Sequence, residues 1–305
     1  MKEENVPYIS VIITAYNRKH FLLNALKSVV NQTLDKKYYE IIVIKNYKDD
    51  MVDNFINKNN IKNMVMDGTI GEFLYAGVKA SNGKILVFLD DDDLFTQDKL
   101  EIVLNKFKDN NNLCYYHNDH ITVNDKYKQL DANVVNSIVF NISSISIIKN
   151  ILNIDNLKEI KINQDDFMYL SAMESDKIII DGKEKLTYYM RHNSASYFAT
   201  NNINEFTKYR KLNLQFQIKQ FEIFRGMFSS RKVINYINGR LAHLEMSSYI
   251  FDGSIKPDKI WDTFKNKNQT FYAELQIFVA YILVRLHVNF RDKIIKVLFN
   301  FDKKA

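Results

Sequence analysis

The chain has 305 residues, 46% of them hydrophobic and 13% aromatic, with only 2 prolines and 8 glycines, which allows one large or two moderate globular domains and excludes long disordered linkers. A single cysteine, Cys114 in the apolar run LCYY, excludes an internal disulfide and a cysteine zinc site, and reads as a small core residue compatible with a reducing cytoplasm. The net charge of +6 is uneven: residues 1–200 carry 24 Lys/Arg against 27 Asp/Glu, whereas residues 201–305 carry 18 against 9, which points to an anionic partner for the second part.

Tyr8–Thr14 (YISVIIT) has a strand pattern. Asn17 is placed to cap a helix from Arg18 to about Asn31, with Leu22, Ala25, Leu26 and Val29 on one face. Glu40–Lys45 predicts a second strand, Met51–Asn57 a short helix, Met64–Met66 a short strand and Gly71–Ser81 a helix. After the Asn82-Gly83 turn, Lys84–Leu89 predicts a buried strand. Strands and helices alternating at this spacing imply βαβ units and a parallel sheet. Neither GxGxxG nor GxxxxGK[ST] is present, so a dinucleotide fingerprint and a P-loop are excluded.

Gln97–Lys108 then reads as an amphipathic helix. Leu113–His117, Ile121–Val123 and Ser137–Phe140 read as strands, and Ser143 or Ser144 as the start of a helix to Leu152. Phe167–Met173 predicts a helix, and Lys177–Asp181 and Leu186–Arg191 two strands, so this half predicts a mixed sheet beside a site. From Asn202 the pattern is helical: Glu205–Phe224, Arg231–Phe251, Pro257–Lys265 and Thr270–Phe301. The expected domains are 1–200 and 201–305. MKEENVPYIS has no apolar leader core and no run of about 18 apolar residues occurs, so the expected location is cytoplasmic or peripheral on the inner face of the cell membrane.

The stretch KILVFLDDDDL (Lys84–Leu94) carries the chemistry. Four adjacent carboxylates, Asp90–Asp93, at the end of a buried strand repel one another and are costly to bury. A divalent cation resolves the conflict, since carboxylate oxygens suit Mg²⁺ and Mn²⁺. The competing reading is a solvated acidic turn ahead of a helix. Asp165 and Asp166 are a second acidic pair, fitted either to acid–base work or simply to a helix N-terminus.

In their order along the chain, VIITAYNR (Val11–Arg18), GVKASNGKILVFLDDDD (Gly77–Asp93), QDDFMYL (Gln164–Leu170) and YYMRHNSAS (Tyr188–Ser196) resemble the glycosyltransferases of family 2. The resemblance implies a GT-A fold, an α/β mixed Rossmann-like sheet flanked by helices, here with a C-terminal all-helical extension. It implies an enzyme that moves a sugar from a nucleoside diphosphate sugar, a UDP-sugar in the first instance, to a hydroxyl acceptor, with inversion and with Mn²⁺ or Mg²⁺. Thr14, Tyr16 and Arg18 correspond to positions that border the nucleotide, and Asp90 and Asp91 to the nucleotide side of the DxD motif. Asp92, with Asp90, corresponds to the metal ligands, and Asp93 is the neighbouring alternative in register. Asp166, or Asp165, corresponds to the base that deprotonates the acceptor. Arg191 and His192 fall in the basic closing motif, Arg191 for the diphosphate and His192 for metal or phosphate. The sequence departs from the family where paired aspartates usually follow the second strand; Lys45-Asn46 stand there, and Asn46 can still bond a base edge. It departs again at Leu74 and Tyr75, where an Arg-Asn pair is usual, leaving Arg18, Lys45 or Arg191 to serve the diphosphate.

The basic and aromatic C-terminal helices read as a surface for an anionic membrane or a lipid-linked or glycan acceptor, or else as a cap or homodimer contact. Nucleic acid is not expected, because no recognised module is present. The alternative functions are a sugar nucleotidyltransferase, which needs a Gly-rich loop where TAYNR stands, and a degenerate non-catalytic partner subunit.

Overall fold

The computed structural model describes residues 7–130, 141–191, 200–253, 257, 260–261, 271–286 and 290–304. They fall into two compact units, one reaching Arg191 and one formed by the residues after it.

In the first unit β1 (Ile9–Ala15), β2 (Tyr39–Lys45), β3 (Lys62–Val65), β4 (Ile85–Asp90), β5 (Leu94–Phe95), β6 (Leu113–Val123), β7 (Ile145–Ile148) and β8 (Ile178–Met190) form one sheet of order β3-β2-β1-β4-β7-β6-β8-β5. β3, β2, β1 and β4 run parallel, so the carboxyl ends of β1, β2 and β4 lie side by side, with Thr14 opposite Asp90 and Ala15 opposite Lys45. β7 is antiparallel to β4 and β6, and β8 runs parallel to β6. This mixed half extends the sheet past the strand ends that a parallel α/β protein uses for ligands.

The helices follow from the apolar spacing. From α1 (Lys19–Val30), Leu22, Ala25, Leu26 and Val29 pack with Val11, Ile13, Val43 and Val87 on one face of the sheet, joined by Leu100, Val103 and Leu104 of α4 (Lys99–Asp109) and by Val52 and Ile56 of α2 (Asp50–Lys58). The other face of β1 and β2 meets α3 (Ile70–Ala80) at Gly77, where a Cβ would stand 2.7 Å from Ile12 Cγ2 and Ile44 Cδ1. α3 begins in a capping box between Thr69 and Glu72. At Gly71 it meets backbone: a Cβ there would stand 2.1 Å from the Leu157 carbonyl oxygen and 2.4 Å from that of Ile160. α5 (Gln164–Glu174) packs on β6 and β7.

Three expectations are corrected. Ser143–Leu152 is not a helix: β7 runs through Ile145–Ile148 between short 3-10 turns, because its β-branched residues fill a gap between two strands and are buried on both sides. The separate strands expected at Leu113–His117 and Ile121–Val123 are one strand, kept continuous by bulges near Asp119, and Lys177–Asp181 and Leu186–Arg191 are likewise one. Asn17 does not cap α1; its φ of 59° puts it in the left-handed region, one residue before the N-cap Arg18. Of the helix expected over Thr270–Phe301, Phe271–Leu286 and the residues from Phe290 are helical, and 287–289 lie outside the described residues. The strand expected over Ser137–Phe140 lies outside the described residues, as does most of the helix expected over Pro257–Lys265.

The second unit contains α6 (Ile203–Met227), α7 (Arg231–Asp252), α8 (Phe271–Leu286) and α9 (Phe290–Lys304). Phe206 sits between Phe251 and Phe299, at 6.1 and 5.4 Å between ring centroids. α7 ends at Gly253 in the left-handed conformation, with the Arg291 guanidinium against its Cα. Among the described residues no helix is long and apolar enough to cross a membrane.

The glycine contacts rank three substitutions. Gly71→Ala drives a methyl into immovable backbone and is expected to cost about 3 kcal/mol or more; Gly77→Ala meets the end methyl of Ile44 and the branch methyl of Ile12, both on buried side chains, and should cost about 2 kcal/mol. Gly226→Ala in α6, with nothing within 4 Å, should be neutral or slightly stabilising. Urea unfolding of the three variants checks the order; a Gly71→Ala protein as stable as Gly226→Ala would contradict the packing of α3 on the Leu157–Ile160 backbone.

Candidate active site

The site is built at the strand ends. The turn after β1 is pinned by a reciprocal amide pair: Asn46 Oδ1 accepts from the Asn17 backbone N–H and Asn46 Nδ2 donates to Asn17 Oδ1, both at 2.9 Å. The left-handed conformation of Asn17, which asparagine tolerates, reverses the chain so that Arg18 points back over the β4 end. The Tyr47 hydroxyl donates to the Arg18 carbonyl at 3.2 Å. Lys45, a candidate for the diphosphate, is fully buried; its ammonium pairs with Asp53 at 2.8 Å and donates to the Tyr47 carbonyl at 2.7 Å, so it holds the turn after β2.

Asp90 ends β4, with its backbone N–H donating to Ser143 Oγ at 3.0 Å and the Thr14 hydroxyl 3.4 Å from its Oδ1. Asp91, Asp92 and Asp93 follow in a tight turn and are all buried, at 1, 8 and 1% exposure, which rules out the solvated acidic turn. Arg18 reaches two of them, with an ion pair of 2.7 Å to Asp91 and a hydrogen-bonded pair to Asp92 Oδ2. Asp93 turns away and accepts the Met190 backbone N–H of β8 at 2.8 Å. Burial pushes the Asp90 carboxyl up to about 7, with the Asp92 charge adding to it. Burial likewise pushes Asp91 up to about 8 against the pull of Arg18, and drives Asp93 well above the usual carboxylate range.

Oxygens of Asp90, Asp92 and Asp93 lie within 4.8 Å of one another. Three hard oxygen donors converging on one point fit a divalent cation such as Mg²⁺ or Mn²⁺. Asp93 therefore joins the Asp90 and Asp92 expected from the sequence, while His192 lies outside the described residues.

Four further residues surround the cluster, three of them outside every motif and the fourth, Tyr189, inside the closing motif but not singled out in it. Lys99 of α4 is fully buried, donates to the Ser143 carbonyl at 2.5 Å and to Thr187 Oγ1 at 2.9 Å, and burial lowers its pKa well below the ordinary lysine value although Asp93 opposes this. Ser143 thus links Lys99 to Asp90. Tyr189 of β8 is pushed up by burial and by the charges of Asp93 and Asp92. Tyr127, in the turn after β6, has a φ of 56°, rare for an aromatic residue, and its buried hydroxyl stands beside Asn24 and in the field of Asp91–Asp93.

The remaining sequence candidates are more dispersed. Tyr16 is 56% exposed beside the cluster, its ring tilted 6.2 Å from Phe73. Arg191 follows Tyr189 and donates its backbone N–H to Val123 O at 2.8 Å. Asp165 and Asp166 open α5 after Asn163, which takes the left-handed conformation at φ 62° and donates from Nδ2 to Asp166 Oδ2 at 2.8 Å. Both carboxylates act on the buried Tyr115 hydroxyl of β6, whose pKa is raised by burial first and then by Asp165. At the departures, Leu74 is core, and the Tyr75 ring carries Lys158 at 4.0 Å and Lys79 at 5.3 Å.

The family model described as Glycosyl transferase family 2 matches residues 10–170. An uncharacterized glycosyltransferase of Rickettsia conorii is 34% identical over 137 residues, 41% of this chain and 21% of its own length. The poly(ribitol-phosphate) β-N-acetylglucosaminyltransferase TarP of Staphylococcus aureus is 30% identical over 110 residues, 34% of each chain. The chain spans about a fifth of the length of the rickettsial relatives it matches. Among solved structures, S. aureus TarS 1–349 in complex with UDP-GlcNAc aligns at a TM-score of 0.56 and 15% identity over 84% of this chain and 78% of that one. The mannosyltransferase PcManGT of Pyrobaculum calidifontis, in complex with GDP-Man and Mn²⁺, aligns at 0.55 and 10% identity over 92% and 87%. The parallel strand ends, the buried aspartate run and the extent of the family match lead to one conclusion: this chain belongs to glycosyltransferase family 2 and has the GT-A fold.

Proposed function

We propose that the protein transfers a sugar from a nucleoside diphosphate sugar, a UDP-sugar, to a hydroxyl of a glycan or lipid-linked acceptor, with inversion and with a divalent cation. The observation that carries this reading is the convergence of Asp90, Asp92 and Asp93 at the carboxyl ends of parallel strands. These residues would hold Mn²⁺ or Mg²⁺, with His192 as the further candidate ligand, and the ion would neutralise the leaving diphosphate. TarS with UDP-GlcNAc and PcManGT with GDP-Man and Mn²⁺ support the donor class.

The chain's own groups take the other roles. Tyr16, exposed at the end of β1, offers a face to the base, and Asn46 holds the turn beside it. Arg18 shares the Asp92 carboxylate with the candidate ion site, so its guanidinium is placed to move from carboxylate to phosphate as donor binds, with Arg191 on the β8 side. Asp166, on a separate helix, removes the acceptor proton. The basic second unit serves an anionic partner. A nucleotidyltransferase would release pyrophosphate rather than nucleoside diphosphate, and a non-catalytic subunit would release neither, so product analysis separates the three.

Proton linkage gives the first test. A carboxyl whose folded pKa lies above its unfolded value of about 4 stabilises the fold below that value and loses its contribution as pH rises through the folded pKa. Asp90 near 7 and Asp91 near 8 therefore make the cation-free protein less stable as pH climbs from about 4 to about 8, by up to about 1.4 kcal/mol per pH unit for each proton that the folded protein holds and the unfolded chain has lost. Mn²⁺ with UDP should flatten that slope, and Asp92→Asn should abolish the effect of Mn²⁺ while leaving the circular dichroism unchanged. Thermal melts across this range with EDTA or Mn²⁺ check it; a metal response intact in both Asp90→Asn and Asp92→Asn refutes the ion site.

The second test concerns the base. Asp166→Asn keeps the shape and removes the basicity, so donor binding should persist while transfer falls by about 10²- to 10⁴-fold. Asp165→Asn should cost less. The reverse ranking moves the base to Asp165, and near-normal transfer by both variants rejects α5 as its source.

A further inference from the structure

Among the described residues, the last helices of the second unit leave large apolar side chains exposed. On α8 one face is buried: Tyr281 and Val284 pack inward, with Tyr281 edge-on to Tyr249 of α7 at 5.2 Å between centroids. A second face is also apolar. Leu275, Val279, Leu283 and Leu286 are 38, 47, 37 and 68% exposed, and their spacing of four, four and three residues aligns them in one stripe along the helix. No charged residue lies between Glu274 and Arg285. Trp261 stands next to this helix, 70% exposed, its ring 5.9 Å from that of Phe278. α9, packed on α8, exposes Phe290 and Val297 together with Lys293 and Lys296. A contiguous run of large exposed apolar side chains with an exposed tryptophan marks an interaction surface.

Charge decides between occupants. A second copy paired by two-fold symmetry sets the same patch against itself, so Arg285, Lys293 and Lys296, with the exposed Asp292 beside them, bring a net positive charge against the same net positive charge. Residues 201–305 as a whole carry 18 basic against 9 acidic groups, which adds to that repulsion. An anionic lipid surface meets the same lysines and arginines with opposite charge, at roughly 1 kcal/mol for each basic group near it. Among the described residues no helix is long and apolar enough to cross a bilayer, and the 16 described residues of α8 cover about 24 Å against a hydrocarbon core of roughly 30 Å.

We infer that the α8 stripe and Trp261 insert into the interface of an anionic membrane, with the basic residues of α9 against the headgroups. This rests on the proposed function only in giving a membrane-borne acceptor a place to be met; the docking itself needs no catalysis. Trp261 is the only tryptophan of the chain, so intrinsic fluorescence reports directly on the stripe. With the full chain, vesicles of phosphatidylglycerol and phosphatidylcholine should shift the emission to the blue by about 10 nm and allow quenching by brominated acyl chains, whereas pure phosphatidylcholine should do so weakly and high salt should reduce the effect. The double variant Val279→Gln/Leu283→Gln should lose the shift. Lys293→Glu/Lys296→Glu, which leaves the apolar stripe intact, should weaken vesicle co-sedimentation by roughly tenfold or more, as the loss of two attractions and the gain of two repulsions implies. Unchanged emission with both vesicle types overturns the inference. So does a blue shift that depends on protein concentration without lipid and accompanies a dimer in sedimentation, which assigns the stripe to a second copy. Asp166→Asn should bind vesicles as the parent does, and nucleoside diphosphate release with a soluble acceptor is read separately, so failure of the docking and failure of the catalytic reading give different results.

Discussion

The first unit depends on keeping four consecutive carboxylates out of water. Asp91, Asp92 and Asp93 are buried and Asp90 nearly so, and a buried carboxylate without compensation is expensive. Compensation comes from every side. Arg18 arrives from the turn after β1 to pair with Asp91 and Asp92, the Met190 N–H from β8 and the Ser143 hydroxyl from the turn before β7 both reach the Asp93 carboxylate, and the Lys99 charge acts on Asp93 from the first turn of α4. Each partner lies on a different element, so the acidic cluster ties the parallel and mixed halves of the sheet together. The protons favoured on Asp90 and Asp93 by burial are the remainder of that compensation, and they are what a divalent cation would replace.

The sheet order makes this gathering feasible. β4 lies between parallel β1 and antiparallel β7, and β7 delivers Ser143 to the carboxyl end of β4 because it runs the opposite way. β8, 13 residues long, runs beside β6 to its end, with Met190 opposite Val123, and brings Thr187 to Lys99 and the Met190 N–H to Asp93. Thr14 and Asp90 are within reach of one another because they are register partners at the ends of adjacent parallel strands.

The parallel half was legible in the sequence because its strands are short apolar runs separated by amphipathic helices and clear turns. The aspartate run was legible for a related reason, since charge at the end of a buried strand has few explanations. The mixed half was harder to read. β6 carries His117, Asn118, His120 and Thr122, all buried, so neither alternation nor a continuous apolar run marks it from end to end. β7 occupies a stretch, SSISIIKNIL, whose apolar spacing satisfies a helix as well as a strand, and only its neighbours settle the choice. Lys99 looks like a surface lysine on an amphipathic helix; its burial depends on Ser143 and Thr187, 44 and 88 residues away. Tyr127 is found only once the fold brings a left-handed turn against the carboxylates. Lys45 illustrates the opposite error: a cation near the donor position in sequence is committed to Asp53 in space.

On the proposed reading, the electrostatics also constrain the order of binding. A nucleoside diphosphate sugar is an anion, and it would approach a cluster whose local charge is negative. In the unliganded cluster the Arg18 guanidinium is paired with Asp91 and Asp92, and so offers little to an incoming phosphate. A divalent ion at Asp90, Asp92 and Asp93 changes both terms at once. It makes the local charge less negative, and it competes with Arg18 for Asp92, leaving the guanidinium to the diphosphate. Cation and donor would then bind with positive coupling, because each lowers the cost the other faces. The same logic accounts for burying the carboxylates at all. An exposed cluster would be neutralised by solvent and salt, whereas a buried one stays electrically unbalanced until the ion arrives. The stability lost in the unliganded state, visible as the raised carboxyl pKa values, is the counterpart of that selectivity.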